Sequence, residues 1–262
     1  MKRIFASRRT RWAAIVILIV LPAMLAAYSV FEFRRPNSFG EDHGLLNFFA
    51  NNSDWILGLL FLAISAVPFL LVFERRRPQA RELVPIAVMS ALAVVGRTVF
   101  SIVPLPNFKP CSAIIMITAI VFGPETGFLT GALTAFVSNF IFGQGPWTPW
   151  QMFAMELIGF LGGVCFHNGP LRQSRLSLAI FGAVCSVVIY GGIMNPSTAL
   201  IWARTLDWKV LLSYYLTGIP WDLVRGAATA LFLWFGAEPM LEKLERIQIK
   251  YGLMEHRENA ER

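Results

Sequence analysis

The stretch Ser138-Asn139-Phe140-Ile141-Phe142-Gly143-Gln144-Gly145-Pro146-Trp147-Thr148-Pro149-Trp150-Gln151-Met152 joins two apolar runs, at about 126–142 and 150–166. Each run approaches the ~20 residues that a helix needs to cross a bilayer. Two glycines and two prolines make the junction short, stiff and sharply turned. Trp147 and Trp150 suit a membrane–water interface, where amphipathic rings collect. Asn139, Gln144, Thr148 and Gln151 add neutral donors and acceptors. An aromatic belt has no need of so many amides and hydroxyls in one hairpin. The segment therefore reads as a structured loop whose polar side chains face a ligand.

The same pattern extends outward in both directions. Further apolar runs fall at about 12–31, 54–73, 83–103, 111–123, 175–194 and 210–236. The chain has 262 residues, 56% apolar and 15% charged. A soluble domain carries about 45–50% apolar and about 25% charged residues. No run alternates apolar and polar residues as a membrane barrel strand does. The fold class is all-α and polytopic, with eight membrane-spanning helices. The first run is longer than the ~7–15 apolar residues of a cleavable signal, so a retained first helix is expected.

The formal charge of +7 sits in a few clusters rather than along one face, a pattern that argues against nucleic-acid binding. Lys2–Arg11, Arg75–Arg81, Arg172 with Arg175, and Lys243–Arg262 all fall on one side when eight spans are counted. The positive-inside rule makes that side cytoplasmic, with both termini there. The loops 104–110, 143–149 and 195–209 then lie outside; the resemblance given below implies the plasma membrane of a prokaryote.

The chain divides into two transmembrane helices at 1–80, a six-helix core at 81–237 and a cytoplasmic tail at 238–262. Polar groups in a bilayer are costly and mark function, and they concentrate in the core. Glu156 lies about two turns below the outer surface. Asp222 and Arg225, at i, i+3, share a helix face near mid-membrane and can pair. A structural ion pair and a ligand contact are both open for Asp222. Arg97 lies toward the outer end of its helix. Three small-residue rows allow close helix approach: Ala87 with Ala91, Gly127–Gly131–Ala135, and Gly159 with Gly163. The last two read as internal packing; Ala87 and Ala91 could instead dock a partner helix. Cys111, Cys165 and Cys185 read as small apolar packing residues. No HExxH, GxSxG or GxxxxGK[ST] pattern occurs, so this chain does not itself hydrolyse ATP. Its three histidines fall in three separate loops or tails.

The run Asn107-Phe108-Lys109-Pro110, the turn Gly123-Pro124-Glu125-Thr126-Gly127, the Gly143–Met152 loop and Gly218-Ile219-Pro220-Trp221-Asp222 resemble the substrate-binding (S) components of energy-coupling factor (ECF) transporters. The resemblance covers about 81–252, including Leu244-Glu245-Arg246 and Lys250-Tyr251-Gly252-Leu253. It implies a six-helix unit that binds a vitamin under the loops 104–110, 143–149 and 195–209. Asn139, Gln144, Trp147, Thr148, Trp150, Gln151, Glu156, Asn195 and Asp222 are then the substrate-binding candidates. Ala87 and Ala91 match the family's AxxxA motif, which contacts a transmembrane coupling subunit. Two cytoplasmic ATPase subunits complete such a transporter and use ATP, while this chain binds no cofactor. The chain looks similar to the S components linked with cobalamin or other corrinoids, and the outer tryptophans suit a large, partly apolar ligand. The extra helices at 1–80 depart from the plain family pattern. The rival readings are an S component for another small vitamin and a membrane-embedded enzyme acting on a lipid. An enzyme needs a clustered acid, base or metal set, and Glu156, Asp222 and Arg225 have no histidine partner in the sequence pattern.

Overall fold

Every residue from Cys111 to Phe122 is buried. This segment has no polar face to turn outward, so the other helices enclose it. The computed structural model describes residues 19–34, 56, 60, 61, 63, 64, 67, 83–167, 169–203 and 207–253. Among them the helices are α1 (Leu21–Arg34), α2 (Val84–Val99), α3 (Cys111–Phe122), α4 (Pro124–Phe142), α5 (Thr148–Phe166), α6 (Arg175–Ala203) and α7 (Trp208–Tyr251). The expected helix pair at 1–80 lies largely outside the described residues, with α1 covering the end of its first run. The basic clusters Lys2–Arg11 and Arg75–Arg81, and the tail beyond 253, also lie outside them.

Helix α3 packs against α2, α4, α5, α6 and α7. Its 12 residues extend about 18 Å, short of the ~30 Å hydrocarbon core. Protein surrounds it, so its ends need not reach the interfaces. Val84–Ile102, Thr148–Phe166 and Arg175–Ala203 are long and apolar enough to cross a membrane.

The small-residue rows place α4 directly on α5. A Cβ at Gly131 would meet the Met155 carbonyl and the Glu156 amide; one at Gly159 would meet the Gly127 carbonyl. Gly163 lies as tightly against the Pro124 backbone. Backbone touches backbone at all three, which only glycine permits. Helix α2 differs. Its buried side holds Ile86, Met89, Ser90, Ala93 and Arg97. Its other side exposes Ala87, Ala91 and the large side chains of Val84, Val88, Leu92, Val95 and Val99.

Two boundaries differ from the sequence reading. The expected loop 195–209 is mostly helix, because α6 runs on to Ala203. Pro196 lies inside it, between π-helical turns at Cys185–Tyr190 and Ala199–Ala203. A proline cannot donate to the carbonyl four residues back, here Gly192. Tyr215 of α7 supplies that bond, donating its hydroxyl to the Gly192 carbonyl at 3.1 Å. The second difference is α7, whose 44 residues reach about 66 Å. It absorbs most of the expected tail and stops at Gly252, left-handed at φ 57°. Its far end packs back on the core: Gln248 donates to the Val121 carbonyl at 3.3 Å, and Leu253 is buried.

Candidate substrate cavity

Helices α2, α5, α6 and α7 and the connection 103–110 converge on a cavity of about 270 Å³. Each element contributes polar groups. Helix α2 supplies Arg97 from its last turn, and the connection supplies Asn107 and Lys109. Asn107 is left-handed at φ 66°, a conformation that asparagine tolerates better than most residues. Helix α5 brings Gln151. Helix α6 brings Tyr190, Met194 and Asn195, and α7 brings Gly218, Trp221, Asp222 and Arg225.

These side chains hold one another. Arg97 donates to Ser138 and, at 3.1 Å, to Asn139, and its guanidinium lies 4.7 Å from the Phe142 ring centroid. Lys109 places its ammonium 4.6 Å from the same ring. Burial, and next the charge of Arg97, hold that ammonium below its ordinary pKa. Arg225 donates to Asn107 at 2.8 Å and lies 3.6 Å from the Tyr190 ring centroid. The Tyr190 hydroxyl accepts from Gln151 at 2.8 Å. Asn195 donates to the Asp222 carboxylate at 2.8 Å. Two glycines make room for that pair: a Cβ at Gly191 would strike the Asp222 carboxylate, and one at Gly218 would strike the Asn195 amide.

Asp222 and Arg225 share a helix face as the spacing requires, yet they form no ion pair within 4.0 Å. Among the described residues the salt bridge is Arg175–Glu238, at the surface. The pairing expected from the i, i+3 spacing is thus replaced by contacts to other elements, Asn195 for the acid and Asn107 with Tyr190 for the base.

Residues 78–234 match the family model described as ECF-type riboflavin transporter, S component. The chain belongs to this family of ECF S components. The matched region contains every residue that lines the cavity. A UPF0397 protein of Vibrio atlanticus (strain LGP32) is 26% identical over 121 residues, 44% of this chain. That match spans 66% of the relative's own length, just under two thirds. No solved structure matches the chain.

Of the candidates read from the sequence of this S component, Gln151, Asn195 and Asp222 line the cavity. Asn139, Gln144 and Thr148 lie behind it and bond to each other. The Thr148 hydroxyl accepts from Asn139 at 3.1 Å and from the Gly145 amide at 3.3 Å, and donates to Gln144 at 2.8 Å. Gln144 also donates to the Phe136 carbonyl at 2.9 Å. This network reaches the cavity through Asn139, which holds Arg97. Trp147 folds over Gly145, Trp150 packs against the hydrophobic core, and Glu156 is fully buried; none of the three lines the cavity. In the sequence Arg97 and Arg225 stand out only as charges, Asn107 and Lys109 only as part of the outer loop 104–110, and Trp221 only as one of the outer tryptophans; none of the five is among the site candidates. Tyr190 and Met194 carried no signal beyond their place in an apolar run.

Proposed function

We propose that this S component binds its substrate in the 270 Å³ cavity and acts as the substrate-binding subunit of an ATP-driven vitamin uptake transporter. The observation that carries this reading is unmet hydrogen-bonding capacity at the cavity. Gln151 Oε1 and Arg225 Nε are buried without a hydrogen-bond partner, and both side chains are more than nine-tenths buried. Leaving such a group unsatisfied costs about 1–3 kcal/mol. A bound molecule with a donor for Gln151 and an acceptor for Arg225 removes that penalty, and so these two groups favour a ligand that carries both. Tyr190 and Trp221 add aromatic surface for a ring compound.

The cavity volume supports a substrate of one to three fused rings. A corrinoid with its nucleotide loop is several times larger, so the volume supports a smaller ring vitamin better than the corrinoid expected from the sequence. Riboflavin, named in the family description, is the first compound to test. The apolar, uncovered face of α2 around Ala87 and Ala91 supports docking of a coupling subunit, with two ATPases beneath it. The basic clusters support a prokaryotic cell membrane with cytoplasmic termini. The reading of a lipid-acting enzyme draws no support from a family of transporter subunits.

Titration of the detergent-purified full chain with riboflavin, other ring vitamins and cobalamin tests the reading. Saturable binding of a ring vitamin, weakened by Gln151→Ala, is expected. Binding of cobalamin alone, insensitive to that change, would overturn it.

A further inference from the structure

The geometry points to an oxyanion on the substrate: we infer that Arg97, Lys109 and Arg225 form a receptor for a carboxylate or phosphate group of the molecule this S component carries. The inference rests on the cavity being the substrate site. Three cations and one carboxylate line that cavity. None of the cations is in an ion pair among the described residues.

The partners of the cations are all neutral. Arg97 contacts the Ser138 hydroxyl, the Asn139 carbonyl oxygen and the Phe142 ring. Lys109 faces the other cation's ring, Phe142. Arg225 contacts the Asn107 amide oxygen and the Tyr190 ring, and keeps its Nε unpartnered. Neutral dipoles and rings orient a cation but leave its charge standing. The lining carboxylate, Asp222, is held by Asn195 instead. Like charges gathered where the dielectric is low repel strongly. A fold tolerates such a cluster when an incoming anion offsets it.

The positions fit one group. Arg97 and Lys109 share a single phenyl ring, and Arg225 is tied through Asn107 to the connection that carries Lys109. Arginine presents a planar fork matched to carboxylate and phosphate, and lysine adds a point charge. Gln151 Oε1 and Asp222 are acceptors lining the same cavity. They suit the donor groups of a ring that the oxyanion anchors. The molecule is therefore an acidic vitamin or its phosphorylated form, rather than a neutral one.

The test uses the full chain in uncharged detergent and ring compounds paired as neutral form and acid: riboflavin against riboflavin 5′-phosphate, nicotinamide against nicotinate, and pyridoxine against pyridoxine 5′-phosphate. Thermal unfolding in sodium phosphate against sodium chloride at equal ionic strength reports on the oxyanion site through the part of the rise that Lys109→Gln removes, because phosphate also stabilises folded proteins by exclusion from their surface. Phosphate is expected to raise the unfolding temperature. One acidic compound should bind on the order of tenfold more tightly than its neutral counterpart. Phosphate and carboxylate compounds separate the two oxyanions. Both effects should shrink in Lys109→Gln, whose side chain makes no hydrogen bond among the described residues and contacts the Phe142 ring, and in Arg225→Gln. Equal binding of a neutral compound and its acid at this cavity would overturn the inference while leaving the substrate site in place. Phosphate protection through Lys109 with no vitamin bound would support the oxyanion receptor and count against the vitamin reading. No protection by phosphate and no acidic preference would overturn the inference, as would protection by phosphatidylglycerol vesicles alone.

Discussion

Arg225 of α7 lies on the ring of Tyr190 of α6, its guanidinium carbon 3.6 Å from the centroid. A cation over an aromatic face in a desolvated setting is worth about 2 kcal/mol. The contact fixes the guanidinium toward the cavity and leaves Asp222, one turn away, to Asn195.

That arrangement makes a prediction about coupling. A buried ion pair broken on one side typically loses about 3–5 kcal/mol and recovers much of it in the double variant. Here the two residues have separate partners. Asp222→Asn and Arg225→Gln should therefore destabilise nearly additively, with a coupling well below ~3 kcal/mol in a double-mutant cycle of thermal or denaturant unfolding. Recovery of stability in the double variant would restore the ion pair.

Thr148 is a positioning residue two steps behind the cavity. Its buried hydroxyl satisfies Asn139, Gln144 and the Gly145 amide together. Thr148→Ala should cost about 1–3 kcal/mol and lower ligand affinity by loosening Asn139 and hence Arg97. Thr148→Ser keeps the hydroxyl and should restore affinity. If affinity falls equally in both variants, the chain Thr148–Asn139–Arg97 is not what holds the cavity.

The α4–α5 contact responds differently. A Cβ at Gly131 would overlap the backbone of Met155 and Glu156, which cannot move as a side chain can. Gly131→Ala should destabilise by about 1–3 kcal/mol as overpacking does, read as a lowered unfolding temperature. Gly236 has open space around its missing Cβ, so Gly236→Ala should leave that temperature unchanged or raise it.

Much of this fold is legible from sequence because lipid leaves few choices. An apolar run of span length must be a helix, and small residues four apart mark where helices touch, as Gly127, Gly131, Gly159 and Gly163 do. The end of α6 is not legible. Asn195-Pro196-Ser197-Thr198 reads as a breaker, yet the helix continues between two π-helical turns, with the Tyr215 hydroxyl donating to the Gly192 carbonyl that Pro196 cannot serve. The cavity is legible in part. Gln151, Asn195 and Asp222 stand out as polar residues in apolar surroundings. Arg97 and Lys109 become site residues only through Phe142, and Tyr190 only through Arg225 and Gln151. Those contacts join segments far apart in the chain. Asn139, Gln144 and Thr148 show the converse limit: their polarity is visible in sequence, but not that they satisfy one another.

On the exposed side of α2, Ala87 and Ala91 leave a shallow strip among Val84, Val88, Leu92 and Val95. Leu at both alanines should hold a coupling helix away, because small residues set the closest backbone distance. Uptake in cells should drop at least severalfold, while ligand binding by the isolated S component stays as it was. Normal uptake by the double variant would move the docking surface elsewhere.

The most direct test of the central claim compares two sets of variants in one equilibrium binding measurement. Gln151→Ala and Tyr190→Ala change the cavity, whereas Trp147→Ala changes the neighbouring loop outside it. A hydrogen bond to a neutral group is worth about 0.5–1.5 kcal/mol and one to a charged group about 1.5–3. The cavity variants should therefore weaken binding of the vitamin from severalfold to more than tenfold, and Trp147→Ala should leave it within about twofold. Affinity that follows Trp147 and ignores Gln151 and Tyr190 would contradict the account.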